Sequence, residues 1–277
     1  MTPDQYCQEK AAKSGSSFYY SFLFLPPERR RAITALYAFC REVDDIADEV
    51  HDADVARAKL HWWRAEVANL FAGKPLHPVT QALASAVAQF GITQGKLNEI
   101  IDGMEMDLTQ HRYADFEALK LYCYRVAGVV GQLSAEIFGY RNAGTLDYAY
   151  HLGLAFQLTN IIRDVGEDAR RDRIYLPADE MQRCGVSAAD ILCSRHNEAF
   201  TKLMTVLAER AEHHYRTAFE TLPSEDRRAQ RPGLIMAAIY RTLLNEIRRD
   251  GFQVMQQRVS LTPIRKLWLA WKTWIAA

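Results

Sequence analysis

Apolar residues recur every three to four positions along most of the chain, and strict apolar/polar alternation is nearly absent. That period belongs to amphipathic helices rather than strands. Pro26-Pro27-Glu28 predicts the start of a long helix, since proline suits the first turn and an acid there suits the helix dipole. Its apolar stripe is Ile33, Leu36, Tyr37, Cys40, Val43 and Ala47. Asp52 or Asp54 is placed to cap the next helix, which runs to about Gly73-Lys74-Pro75. Helices are then predicted over 78–90, 93–109, 115–138 and 145–168. After Pro177 restarts helix, further ones follow at 187–192, 195–221, 227–250 and 262–275. The pattern predicts ten to twelve helices with no linker and no repeat, hence one all-α domain over residues 1–277.

Two of these helices carry acids where packing alone would not place them. In Tyr37-Ala-Phe-Cys-Arg41-Glu-Val-Asp44-Asp45-Ile-Ala-Asp48, Asp44 and Asp48 lie one turn apart, with Arg41 a turn before them. Such a pair suits Mg²⁺ shared with substrate phosphate, and Arg41 suits a phosphate beside it. A solvated acidic face with a local ion pair is the plainer alternative. The second segment is Gln157-Leu-Thr-Asn160-Ile-Ile-Arg163-Asp164-Val-Gly-Glu-Asp168. Gln157, Asn160, Asp164 and Asp168 form one polar stripe on an otherwise apolar helix. A buried carboxylate stripe must face a partner or a cavity. Turned toward Asp44 and Asp48, it makes an oxygen-rich cage for several Mg²⁺ ions and a diphosphate; a buried ion-pair network is the alternative.

Composition narrows the function class. Lys+Arg and Asp+Glu both number 34, so no basic excess points to nucleic acid. Five cysteines include no C-x-x-C pair, which fits a reducing cytoplasm better than a disulfide or zinc framework. The first residues show no basic leader, and no apolar run is long enough to span a membrane. The eight histidines form no ligand set; Asp48-x-x-His51 alone resembles half of a di-iron motif. Asp102, Glu105 and Asp107 do not share one face and read as structural. Gly128 and Gly131 bare one helix stripe, for close packing or for a wider cavity. Around Trp268 and Trp271, flanked by Lys266 and Lys272, the last helix reads as a membrane-surface anchor or as a helix docked on its own domain.

The motifs at 37–48 and 157–168 resemble those of the squalene/phytoene synthases. So do Asp172-Arg173-Ile174-Tyr175-Leu176-Pro177, Tyr122-Cys-Tyr-Arg-Val-Ala-Gly128 and Ser16-Ser17-Phe18. The resemblance implies the all-α isoprenoid synthase fold, with a central cavity and Mg²⁺ at its mouth. It implies metal roles for Asp44, Asp48, Asn160, Asp164 and Asp168. Diphosphate contacts fall to Arg41, Arg163 and Arg258, and Arg173 and Ser17 join the substrate-binding set. Tyr37, Tyr122 and Tyr240, with Arg41, are implied near the reacting centre. Phe18, Phe22, Val126, Ala127, Leu154 and Gln157 are implied in the cavity wall. Ser16 departs from the basic residue that many members carry there, which puts one phosphate contact aside.

The implied reaction is a head-to-head coupling of two prenyl diphosphates. The stretches Ser14–Phe22 and Glu167–Pro177 most resemble the presqualene diphosphate synthases of hopanoid-making bacteria. Presqualene diphosphate from two farnesyl diphosphates is therefore expected, with Mg²⁺ and without a nicotinamide, the product passing to a downstream enzyme. Phytoene or dehydrosqualene synthesis is the alternative, and a non-catalytic helical scaffold for a lipid or partner is the rival of another class. The expected location is the cytoplasm, with contact to the inner membrane surface through the last helix.

Overall fold

The computed structural model describes residues 1–13, 18–22, 24–50 and 52–276, the side chains of Tyr19 and Tyr20 excepted. Among them are fourteen α-helices and no strand, only one isolated bridge between Arg112 and Ile174. The first eight are Pro3–Lys13 (α1), Phe18–Phe22 (α2), Pro27–Glu49 (α3), Ala53–Phe71 (α4), Pro78–Phe90 (α5), Gln94–Thr109 (α6), Phe116–Cys123 (α7) and Val129–Phe138 (α8). Then come Gly144–Arg170 (α9), Ala178–Cys184 (α10), Ala188–Leu192 (α11), Glu198–Thr221 (α12), Arg231–Arg249 (α13) and Pro263–Ala276 (α14).

Most boundaries follow from capping chemistry. Pro27 sits in the first turn of α3, and the Asp52 carboxylate, not Asp54, caps α4 by accepting from the backbone N–H of Asp54 and Val55. The count exceeds the expected ten to twelve for two reasons. First, α1 buries only Cys7 and Ala11, too few apolar positions for periodicity to register, and α2 is a single short turn. Second, the helix expected over 115–138 is divided by one π turn at Tyr124–Gly128. A π turn widens the helix and re-aims the residues around it, here Val126 and Ala127.

The core forms two clusters. One surrounds α9 with α12 and α13; the other surrounds α3 with α4, α5 and α6. Phe18 and Val126 pack against both. A cavity of about 710 Å³ lies between the clusters, so α3 and α9 face each other across it.

Glycines set how closely α9 approaches the opposite wall. A Cβ on Gly153 would meet the Ala127 carbonyl oxygen at 2.4 Å, and one on Gly131 would meet that of Ala149 at 2.4 Å. A Cβ on Gly128 would press on Leu154 and Tyr124 at 3.1 Å. Gly128 and Gly131 thus serve close packing, although Gly131 and Gly153 also border the cavity. Among the described residues no helix is long and apolar enough to cross a membrane.

Gly153→Ala should cost roughly 1–3 kcal/mol, because backbone must yield to admit the methyl. Gly95→Ala, where nothing lies within 4 Å, should be neutral or slightly stabilising. Thermal melts of the two variants check the contrast.

Candidate active site

The mouth of the cavity is charged and its floor is apolar. Tyr37, Arg41, Asp44 and Asp48 come from α3; Gln157, Asn160, Arg163, Asp164, Glu167 and Asp168 come from α9. Arg171, Arg173 and Arg258 come from the segments after α9 and α13, and Lys266 from α14. Among the described residues the lining holds six cations and six carboxylates. Below them the wall is Phe22, Ile33, Leu36, Phe138, Leu152 and Met236.

The carboxylates are held by arginines. Arg41 Nη1 donates to Asp44 at 2.6 Å and its Nη2 to Asp45, which Lys10 of α1 pairs with at 2.8 Å. Across the mouth, Arg163 Nε and Arg258 Nε both donate to Asp164 Oδ1, at 2.8 and 2.9 Å. Arg171 and Arg173 reach back from the segment after α9 to Asp48 at 2.9 and 3.0 Å, and Arg173 also donates to the Ala47 carbonyl. The two acidic helices are therefore tied by cations even before any ligand is considered.

Electrostatics divides the acids into two kinds. Burial pushes the Asp44 carboxyl up to about 7, with Asp48 and Asp107 adding to the rise and Arg41 opposing it. Burial also raises Asp168 to about 7, helped by the Asp164 charge. Burial acts upward on Asp164 too, but Arg163 and Arg258 outweigh it and hold that carboxyl below its ordinary value. Lys266 is lowered by burial and by the neighbouring Arg163 and Arg258, a crowding of cations that an anion relieves.

A hard divalent cation fits this donor set. The Asn160 Oδ1 atom is buried beside the acids with no hydrogen-bond partner. Asp44 and Asp168, pushed toward the protonated form by burial, would be stabilised as carboxylates by a cation. Among the described residues no three His, Cys, Asp or Glu side chains enclose an ion on their own. Further oxygens would come from water and a bound phosphate, as Mg²⁺ sites commonly arrange.

The tyrosines take distinct positions. Tyr122 and Tyr175 both donate to the buried Asp107, at 2.8 and 2.7 Å. Burial and the Asp107 charge raise the Tyr122 hydroxyl well above its ordinary value, so it remains a phenol. Tyr240 lies against Phe156 with ring centroids 4.8 Å apart, and Tyr37 against Phe18 at 5.7 Å.

Of the expected residues, Phe18, Phe22, Val126, Ala127 and Gln157 line the cavity together with the five metal candidates, the arginines and the tyrosines. Leu154 does not: α9 presents Gly153, Phe156, Gln157 and Asn160 to the cavity, which turns Leu154 into the core against Gly128. Ser17 and Ser16 lie outside the described residues, as does His51.

The structure adds Asp107, Tyr175, Arg171 and Lys266. In the sequence Asp107 is masked by its acidic neighbours Asp102 and Glu105. Those two pair outward with Arg64, whereas Ile100, Met104 and Asp107 make one cavity-facing stripe at helical spacing.

The raised carboxyls fix a pH sign. Unfolded, Asp44 and Asp168 titrate near 3.8; folded and metal-free, near 7. Their contribution to metal-free stability is complete below the unfolded value and is lost as pH rises through about 7. A bound cation needs them deprotonated. The Tm increase on adding Mg²⁺ should thus be small near pH 5 and grow through pH 7. The Asp44→Asn/Asp168→Asn double variant should flatten that profile, measured by thermal melts with and without the metal.

Comparison with known proteins agrees with this geometry. The squalene/phytoene synthase profile matches residues 11–265. Phytoene synthase 1 of Arabidopsis thaliana, a chloroplastic protein, is 34% identical over 94% of this chain. That match covers 63% of the plant protein, so the chain spans less than two thirds of it. A ligand-bound dehydrosqualene synthase superposes with a TM-score of 0.87 at 31% identity, covering 98% of this chain and 95% of the other. The squalene synthase HpnC of Alicyclobacillus acidocaldarius superposes with a TM-score of 0.81 at 26% identity, covering 90% and 94%. The chain is an all-α isoprenoid synthase fold and belongs to the squalene/phytoene synthase family.

Proposed function

We propose that residues 1–277 act as one domain that couples two identical prenyl diphosphates head to head. The first product is a cyclopropylcarbinyl diphosphate, with one diphosphate and one proton released. The observation that carries this reading is the facing pair of acidic helices, interleaved with six cations, above an apolar cavity.

Asp44, Asp48, Asn160, Asp164 and Asp168 would hold divalent metal, and their all-oxygen chemistry favours Mg²⁺. When bound, the metal neutralises charge on the departing diphosphate. Arg41, Arg163, Arg258 and Lys266 grip phosphate oxygens and keep the leaving group in place. The apolar wall excludes water, so the allylic cation meets the double bond of the second chain. The faces of Tyr37, Phe156 and Tyr240 line this region and favour a cation. Proton loss to the released diphosphate or to a tyrosine oxygen then closes the cyclopropane. Tyr122 takes part only as a neutral phenol fixed by Asp107.

The finer reading concerns the fate of the cyclopropylcarbinyl diphosphate. Curated relatives carry the name phytoene synthase, and a structural neighbour is a dehydrosqualene synthase. These names support loss of the second diphosphate to a linear hydrocarbon, with C20 substrate for phytoene, better than they support the expected arrest at presqualene diphosphate. The arrest reading rests on the likeness of Ser14–Phe22 and Glu167–Pro177, and on the structural match to HpnC, named a squalene synthase. Neither reading uses a nicotinamide.

Product analysis separates them. Purified protein with Mg²⁺ is given farnesyl or geranylgeranyl diphosphate, with and without NADPH, and products are identified by mass. Phytoene from the C20 substrate supports the first reading; a C15-derived product that yields presqualene alcohol on phosphatase treatment supports the second. No coupling with either substrate would refute both. Asp48→Asn and Asp168→Asn should each lower turnover at least about 10²-fold with an unchanged fold, the typical loss for a preorganised electrostatic group. Near-wild-type turnover in Asp168→Asn would remove the basis of the proposal.

A further inference from the structure

The last helix carries two apolar stripes, where a helix docked on its own domain needs one. The inner stripe is Leu269, Ala270 and Trp274, with Lys266 and Thr273 beside it. Ala270 is buried, Trp274 stacks on Phe24 at 4.9 Å between ring centroids, and the Arg231 guanidinium lies 4.8 Å from the Trp274 ring. These contacts seat α14 on α13 and α2.

The outer stripe is Ile264, Leu267, Trp268, Trp271 and Ile275, at spacings of three, one, three and four. Those intervals keep all five on one side of an α-helix. They are exposed by 81, 47, 52, 57 and 62%, and they make up five of the twelve large apolar side chains that the described residues leave exposed. A scatter of single exposed apolar residues is ordinary; a full helical stripe of them is not.

Charge selects the occupant. Residues 262–276 contain Arg265, Lys266 and Lys272 and no acid, although the whole chain is neutral. Lys272 Nζ lies 5.0 Å from the Trp268 ring, on the flank of the stripe. Trp in an apolar stripe with a flanking Lys matches a bilayer interface, where the rings sit at headgroup level and the cation meets anionic lipid. Arg265 is paired with Glu246 and Lys266 turns to the cavity, so Lys272 is the α14 cation that stands at the outer stripe, and two copies joined along this face would bury it with no α14 acid to pair it. The helix also adjoins the cavity mouth: Leu261, just before α14, and Lys266, in its first turn, line the cavity.

We propose that the outer face of α14 docks on an anionic lipid surface, so that the cavity opens beside the bilayer. The docking stands apart from the coupling reaction, since it needs no substrate. Ile264, Trp268 and Trp271 enter the headgroup layer, and Lys272 pairs with lipid phosphate.

The test is co-sedimentation of the full-length chain with phosphatidylcholine vesicles, with and without phosphatidylglycerol. Wild type should bind the anionic vesicles, and added salt should weaken the binding. Trp268→Ser/Trp271→Ser should lower partitioning about 10-fold or more, given the apolar area withdrawn from lipid. Its Tm and its turnover on detergent-solubilised substrate should be unchanged, because neither residue lines the cavity. Lys272→Glu should weaken binding to anionic vesicles only. Undiminished binding in the double Trp variant would overturn the proposal. So would a wild type that ignores vesicles but dimerises, with the double variant monomeric.

Discussion

The structure depends on the cost of burying carboxylates without partners. Asp44 and Asp168 sit on opposite helices at the mouth of a low-dielectric cavity, and burial alone carries both toward protonation. Arginines pair with the acids of the mouth: Arg41, from within α3, with Asp44; Arg171 and Arg173, from beyond the end of α9, with Asp48; and Arg258, from beyond α13, with Asp164. Apart from the Arg41 pair within α3, these bridges join segments far apart in sequence. The charged mouth therefore closes the fold at this end as well as forming the site.

Among the described residues the cavity lining holds cations and carboxylates in equal number, which is a specific electrostatic arrangement. An anion site alone would carry excess positive charge, and a metal site alone excess negative charge. A matched set accepts a metal and a polyanion together, because each neutralises the groups the other leaves unpaired. In the proposed reaction the arginine–carboxylate bridges would exchange for metal and phosphate. The apolar floor completes the arrangement, since charge separation at the mouth is stronger where water is excluded.

Much of this was legible in the chain. The periodicity located nearly every long helix, and Pro27 and Asp52 marked the starts of two of them. The stripe Gln157, Asn160, Asp164, Asp168 was readable because polar residues at helical spacing interrupt an apolar helix. What escaped was tertiary. Asp107 was hidden by acidic neighbours that face the other way, toward Arg64. The family resemblance assigns Leu154 to the cavity wall, because it carries over a position but not the rotation of α9 that turns the residue to Gly128. The roles of Gly131 and Gly153 needed the opposing carbonyls of Ala149 and Ala127, which no one-dimensional pattern contains. The two faces of α14 needed knowledge of which one the domain covers.

The central claim is that metal and diphosphate are bound jointly by the two acidic helices. Titration calorimetry of inorganic pyrophosphate into the protein, with and without Mg²⁺, tests it most directly. Joint binding requires that Mg²⁺ tighten pyrophosphate and that pyrophosphate tighten Mg²⁺ by the same factor. That coupling should fall sharply in both Asp44→Asn and Asp164→Asn. Pyrophosphate binding that is equally tight without Mg²⁺, or a coupling that survives both substitutions, would contradict the account.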